Sequence, residues 1–133
     1  LDLRKLLKGD FYKVFKSLKY LKNLETLILR VSENKIITDV QMRALAYSIS
    51  FMRRLKHLSV SIPVCKHVTL ACLDSIAESL KKLKNLEELI FESDFALGNM
   101  QKLMIAAEEN KFFNKLTLIS YEGGVENMVS MEY

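Results

Sequence analysis

LKNLEELIF, from Leu83 to Phe91, is the stretch on which the fold turns, because the chain holds three near-copies of it. They are LKNLETLIL from Leu21 to Leu29, MRRLKHLSV from Met52 to Val60 and NKFFNKLTL from Asn110 to Leu118. LDLR at Leu1–Arg4 matches LILR at Leu27–Arg30 and reads as the end of a fifth copy. With Leu27, Leu58, Leu89 and Leu116 as anchors, the successive spacings from Leu1 are 26, 31, 31 and 27 residues. A period of this length marks stacked supersecondary units, each too small to bury its own apolar face.

The register extends upstream of each anchor. Sixteen residues before it stand Phe11, Met42, Leu73 and Met100, and thirteen before stand Val14, Leu45, Ile76 and Leu103. Twelve before stand Phe15, Ala46, Ala77 and Met104, and nine before stand Leu18, Ile49, Leu80 and Ala107. Steps of three, one and three residues trace one face of an α-helix. Beyond each anchor the period drops to two: Leu27, Leu29 and Val31 alternate with Ile28, Arg30 and Ser32, as a strand requires. Each unit is therefore a helix followed by a short strand. The pattern predicts helices near 10–20, 39–52, 70–83 and 99–110, and strands near 1–4, 26–32, 57–62, 88–93 and 115–120. Thr38 to Gln41 fits a capping box, and Asp10, Thr69 and Asn99 stand where N-caps belong. Asn110 alone interrupts eight otherwise apolar aligned positions.

The Leu-x-x-Leu-x-Leu core with a helix between copies resembles the leucine-rich-repeat superfamily, and the long helical period resembles its ribonuclease-inhibitor class. The resemblance runs from Leu1 to about Tyr121. It implies one α/β domain over 1–133, a right-handed solenoid of about four units plus a partial first one. Parallel strands would line its concave face and helices its convex face. It also implies that Asn34 and Cys65, which follow their strands, bond backbone groups at the turn. Ala96 and Gly123 stand in the matching slots of the last two units, and Ser93 and Ser120 occupy inward strand positions. The last two strands are accordingly expected to end early.

Such a unit presents its outward strand residues as a broad surface. Those residues are Arg4, Ile28, Arg30, Ser59, Ser61, Ile90, Glu92, Thr117 and Ile119, with Thr26, His57, Glu88 and Lys115 beside them. Isoleucines near the middle, Arg30 toward one end and Glu88, Glu92 and Asp94 toward the other suit a protein partner. Apolar contact supplies affinity and charge fixes orientation. Lys22, Arg53, Lys84 and Lys111 recur five residues before each anchor, at the helix C-termini. There they offset the carbonyl end of the helix dipole. Stacking also lines them up as a basic ridge fit for RNA phosphates, which is the alternative reading.

At 133 residues with 50% hydrophobic and 27% charged side chains, the chain has enough apolar material for one core. The net charge of +4 does not by itself imply nucleic acid. No apolar run approaches the ~20 residues that span a bilayer, and no secretory leader is visible. With two cysteines, a reducing cytoplasmic or nuclear setting is expected. Cys65, His67 and Cys72, with His57 near, match no familiar zinc spacing, and the four glycines form no phosphate loop. No pair of carboxylates stands out as acid and base, and no motif supports an activated thiol. The expectation is a binding or scaffolding module: not an enzyme, with no metal and no cofactor. The chain begins inside a unit, so another domain or subunit is expected to cover that end, and a regulatory region of a larger enzyme is a further reading.

Overall fold

The computed structural model of the chain describes residues 10–31, 37–63, 65–110 and 113–133. The expected strand at 1–4, Arg4, Asn34, Lys111 and the side chain of Asp10 lie outside the described residues. The elements in order are α1 (Asp10–Ser17), β1 (Thr26–Arg30), α2 (Asp39–Ile49), β2 (His57–Ile62), α3 (Ala71–Lys82), β3 (Glu88–Ser93), α4 (Gln101–Glu109), β4 (Lys115–Ser120) and β5 (Asn127–Glu132). Short 3-10 turns follow α1 at Leu18–Tyr20 and precede α4 at Leu97–Met100.

The protein is α/β, with one open five-stranded sheet in the order β1-β2-β3-β4-β5. The first four strands are parallel, so each connection must cross over through a helix. Leu27, Leu58, Leu89 and Leu116 lie side by side in register across them. The helices pack in sequence order, α1 on α2, α2 on α3 and α3 on α4. They cover one face of the sheet. The inward strand residues Leu29, Val60, Phe91 and Leu118 join Phe15, Met42, Leu73 and Leu103 of the helices in one core.

Each unit turns from helix to strand in the same way. The amide six residues before the anchor donates to the carbonyl three residues earlier, as Leu21 to Leu18, Met52 to Ile49, Leu83 to Leu80 and Asn110 to Ala107. Three residues on, Leu24, Leu55, Leu86 and Phe113 donate to Leu21, Met52, Leu83 and Asn110. In the second and third units the two tight turns each bury an apolar side chain, Met52 and Leu55 and then Leu83 and Leu86, which explains the Leu-x-x-Leu spacing; Leu21 of the first unit stays exposed. The turns also bond to one another: Lys56 and His57 donate to the Glu25 carbonyl, Glu87 and Glu88 to Lys56, and Asn114 and Lys115 to Glu87.

Side chains add lateral bonds between units. Ser79 Oγ donates to the Ala46 carbonyl at 2.6 Å, and Asn85 Nδ2 donates to the Arg53 carbonyl at 2.7 Å. Thr69 is bonded through its amide and hydroxyl to the Asp39 carboxylate, at 2.8 and 2.5 Å. Asn110, the polar exception, donates to the Leu83 carbonyl at 3.1 Å and reaches Leu80 at 3.4 Å. It adds a second donor to carbonyls that already accept from the Leu86 and Leu83 amides, and so ties the fourth unit to the third. Asn110→Ala is expected to destabilise the fold by about 0.5–1.5 kcal/mol, because a hydrogen bond between units is lost while the carbonyls keep their backbone donors. Urea denaturation checks this, and an unchanged midpoint would count against the clamp.

Several expectations need correction. Ser93 and Ser120 do not shorten their strands; both are buried in register with each other at the ends of full six-residue strands. Their hydroxyls accept from the amides two residues on, Phe95 at 3.2 Å and Glu122 at 3.3 Å, and so shape the exit turn themselves. Asn99 caps nothing, since a 3-10 turn precedes α4 and Met100 sits at its cap without a side-chain bond. Thr69 sits one residue before the cap position Leu70, yet its hydroxyl accepts from the Ala71 amide at 3.2 Å. The capping box forms as read: the Thr38 amide donates to Gln41 Oε1 at 2.9 Å, and the Thr38 hydroxyl accepts from the Val40 amide at 3.3 Å. The C-terminal segment adds a strand that the sequence pattern did not place. Gly123 and Gly124, at φ 64° and 77°, reverse the chain in a backbone region that disfavours other side chains. β5 then pairs antiparallel to β4. Tyr133 anchors it, with its ring edge-on to Phe113 at 6.0 Å and its amide donating to the Asn114 carbonyl at 2.9 Å.

Candidate functional site

The face of the sheet opposite the helices is open. Cross-strand register sorts its side chains into three rows. The first runs Thr26, His57, Glu88, Lys115 and Glu132, the second Ile28, Ser59, Ile90, Thr117 and Ser130, and the third Arg30, Ser61, Glu92, Ile119 and Met128. Every described strand residue expected on this face is on it. At the β1 end, Ile28 is 42% exposed and Arg30 is exposed, and Ser59, Ser61, Ile90, Glu92 and Ile119 are half-buried.

Thr117 departs from its expected role. Only 8% of it is exposed, because β5 lies beside it and its hydroxyl meets Ser130 Oγ at 3.3 Å. Its part is to hold β5 rather than to offer a surface. The residues missed from sequence are Met128, Ser130 and Glu132, which β5 adds to the rows, and Tyr121 at their edge. A partial signal was present: VSME at Val129–Glu132 alternates with period two a few residues after the Gly123-Gly124 turn, as in a hairpin.

The charge on this face is graded. His57 Nδ1 lies 3.5 Å from Glu88 Oε2, and Lys115 faces Glu88 on one side and Glu132 on the other in register. Glu92 accepts a hydrogen bond from the Tyr121 hydroxyl, which pushes that phenol up to about 12. Opposite charges directly across a sheet are favourable, typically by about 0.2–1 kcal/mol per pair. The β1 end keeps Arg30 as its cation, while Glu88 and Glu92 bring carboxylates to the centre.

The basic positions Lys22, Arg53 and Lys84 are all exposed, in successive helix-to-strand turns. They share those turns with carboxylates, however. Glu25 is exposed, Glu87 is half-buried, and Lys56 Nζ lies 3.7 Å from Glu25.

Neither thiol is poised for chemistry. Cys65 Sγ donates to the Val31 carbonyl at 3.1 Å, closing the exit from β1, and His67 next to it is exposed. Burial first, then the charges of Asp39 and Asp74 and the neighbouring Cys65, push the Cys72 thiol up from 9.0 to about 12. At pH 8 it carries on the order of one thiolate in 10⁴, so a thiol reagent such as DTNB should label it only on unfolding. Labelling of Cys72 in the native protein within minutes would contradict this. Because folding favours the protonated thiol, its contribution is intact below the unfolded value of 9.0 and is lost as pH rises toward about 12.

Among the described residues, no three His, Cys, Asp or Glu side chains gather as metal ligands, and no helix is long and apolar enough to cross a membrane. No protein-family model, curated protein or solved structure matches the chain.

Proposed function

We propose that this chain is a protein-interaction module of the leucine-rich-repeat class, a right-handed solenoid whose open sheet is its concave face. The observation that carries the reading is the three-row face. Ile28 and Ile90 stand in its middle row, with Arg30 at one end and carboxylates toward the centre. The recurring pair of turn bonds in all four units and the Cys65 thiol bond to the preceding unit's backbone support the class.

Size narrows the partner. Four strand spacings of ~4.8 Å make the described face ~19 Å wide, and three rows two residues apart make it ~14 Å deep. That area is well below the ~800 Å² each side contributes to a standard interface. It accommodates one helix, ~10 Å across, laid over the strands. A partner helix with apolar residues toward Ile28 and Ile90 and an acidic group near Arg30 fits these rows.

The test is site-specific photo-crosslinking in extract from the native source. Benzoylphenylalanine at Ser59 should capture a protein, and Ile90→Glu should cut the yield about tenfold or more. The same probe at Glu78, on the helix layer, should not capture that protein. Capture from Glu78 alone would overturn the reading.

RNA binding by Lys22, Arg53, Lys84 and Lys111 is the second reading, favoured by the exposure of the first three in successive bonded turns. The interleaved Glu25 and Glu87 oppose it, since a phosphate backbone needs an unbroken run of cations. Filter binding decides it: steep salt dependence with loss on Lys84→Glu supports RNA, and no retention at low salt rejects it.

A further inference from the structure

The helix layer carries a second apolar feature, most of it outside the core. α2 has two apolar stripes. Met42, Leu45, Ala46 and Ile49 enter the core. Val40, Ala44 and Tyr47 form the other stripe, which Phe51 continues just beyond the helix, and Val40 and Tyr47 are each 56% exposed. Tyr47 and Phe51 meet edge-on at 5.0 Å. Across from them on α1 stands exposed Tyr12, with Lys16 Nζ 5.5 Å from its ring centre. Between the two helices runs a groove of about 370 Å³, lined by Tyr12, Lys16, Val40, Arg43, Ala44 and Tyr47.

The next unit fills the same positions differently. Fifteen and eleven residues before its anchor, α2 has Arg43 and Tyr47, whereas α3 has Asp74 and Glu78. The gap between α3 and α4 is bridged by the Asp74–Lys102 ion pair, and Glu78 is paired with Lys81 at 3.2 Å. Four of its five charged lining residues pair in this way. The α1–α2 groove instead combines exposed aromatic rings with two cations, and none of its lining residues is a carboxylate. Outer helix faces are ordinarily polar, so an aromatic stripe beside two cations that form no ion pair with a carboxylate among the described residues is a surface complementary to something apolar and anionic.

From this we infer that the α1–α2 groove docks an acidic peptide segment carrying a large apolar side chain. That side chain seats between Tyr12, Val40 and Tyr47. The flanking Asp or Glu carboxylates pair with Lys16 and with the Arg43 guanidinium, whose planar fork takes a carboxylate in two parallel bonds. The inference is independent of the open sheet face. A nucleic acid is the poorer occupant, because two cations beside a largely apolar groove do not track a phosphate chain.

The experiment is to pan a random 12-residue phage-displayed peptide library against the immobilised whole chain and to synthesise the enriched sequences. The expected result is enrichment of Asp or Glu next to Phe, Leu or Trp. Affinity should fall about tenfold or more with Arg43→Glu and again with Tyr47→Ala, and should stay unchanged with Ile90→Glu. Both groove side chains are exposed, and circular dichroism verifies that the variants fold. The inference is overturned by no enrichment, by enriched peptides without acidic residues, or by binding indifferent to Arg43→Glu. Displacement of the peptides by a single-stranded U12 RNA that binds more tightly also overturns it.

Discussion

Phe91→Ala is expected to lower the unfolding free energy by about 3–5 kcal/mol, while Ile90→Ala, one residue away, costs about 1 kcal/mol or less. Phe91 is 0% exposed at the centre of the shared core, on the helix-facing side of β3. Its neighbours in register are Val60 and Leu118, so no adjacent strand can move in to refill the space. The cavity term therefore adds to the lost transfer energy. Ile90 points to the open face, where truncation removes strand propensity and partial contact but leaves no void. Against a total stability of about 5–15 kcal/mol, the first substitution should move the urea midpoint far and the second little. Equal shifts for the two would show that both faces of the sheet are packed and would remove the candidate surface.

Truncation after Glu122 is the second large effect. It removes β5 and the hairpin turn, and with them Met131, which packs against the core, and the Phe113–Tyr133 contact. Lost apolar burial and one aromatic pair together should cost about 2–4 kcal/mol. The larger consequence is at the edge. β4 would then present its six-residue length, KLTLIS, with its backbone groups bare on the side β5 had covered. An uncovered apolar edge is a template for pairing with another chain. Analytical ultracentrifugation should show the truncated chain self-associating with concentration while the full chain does not. A monomeric truncated protein with an unchanged midpoint would show that β5 is ornamental to the sheet.

How much was legible before the structure follows from where each signal lives. The four helices and β1 to β4 were readable because one physical demand, inward apolar side chains at fixed offsets, is written four times over; that the strands run parallel was what the family resemblance implied. A single unit such as NKFFNKLTL would not have sufficed alone. Asn110 breaks its pattern, and only alignment with Leu21, Met52 and Leu83 identified the position. The outward residues Ile28, Arg30, His57, Ser59, Ser61, Glu88, Ile90, Glu92 and Ile119 followed by parity alone.

What the chain's residues determined by themselves was the alternation of helix and strand and which side of each strand faces inward, because periodicity is local and survives without neighbours. What only the tertiary structure decided were the contacts between units and at the edge. Asn110 proved to be a donor to α3's last carbonyls, Ser93 and Ser120 proved to be buried turn-makers, Thr117 was withdrawn from the open face, and residues 127–132 became an edge strand. Each depends on a partner roughly thirteen to thirty residues away or on a backbone group, and no pattern of side-chain types along one unit encodes which group of a neighbouring unit will lie within reach.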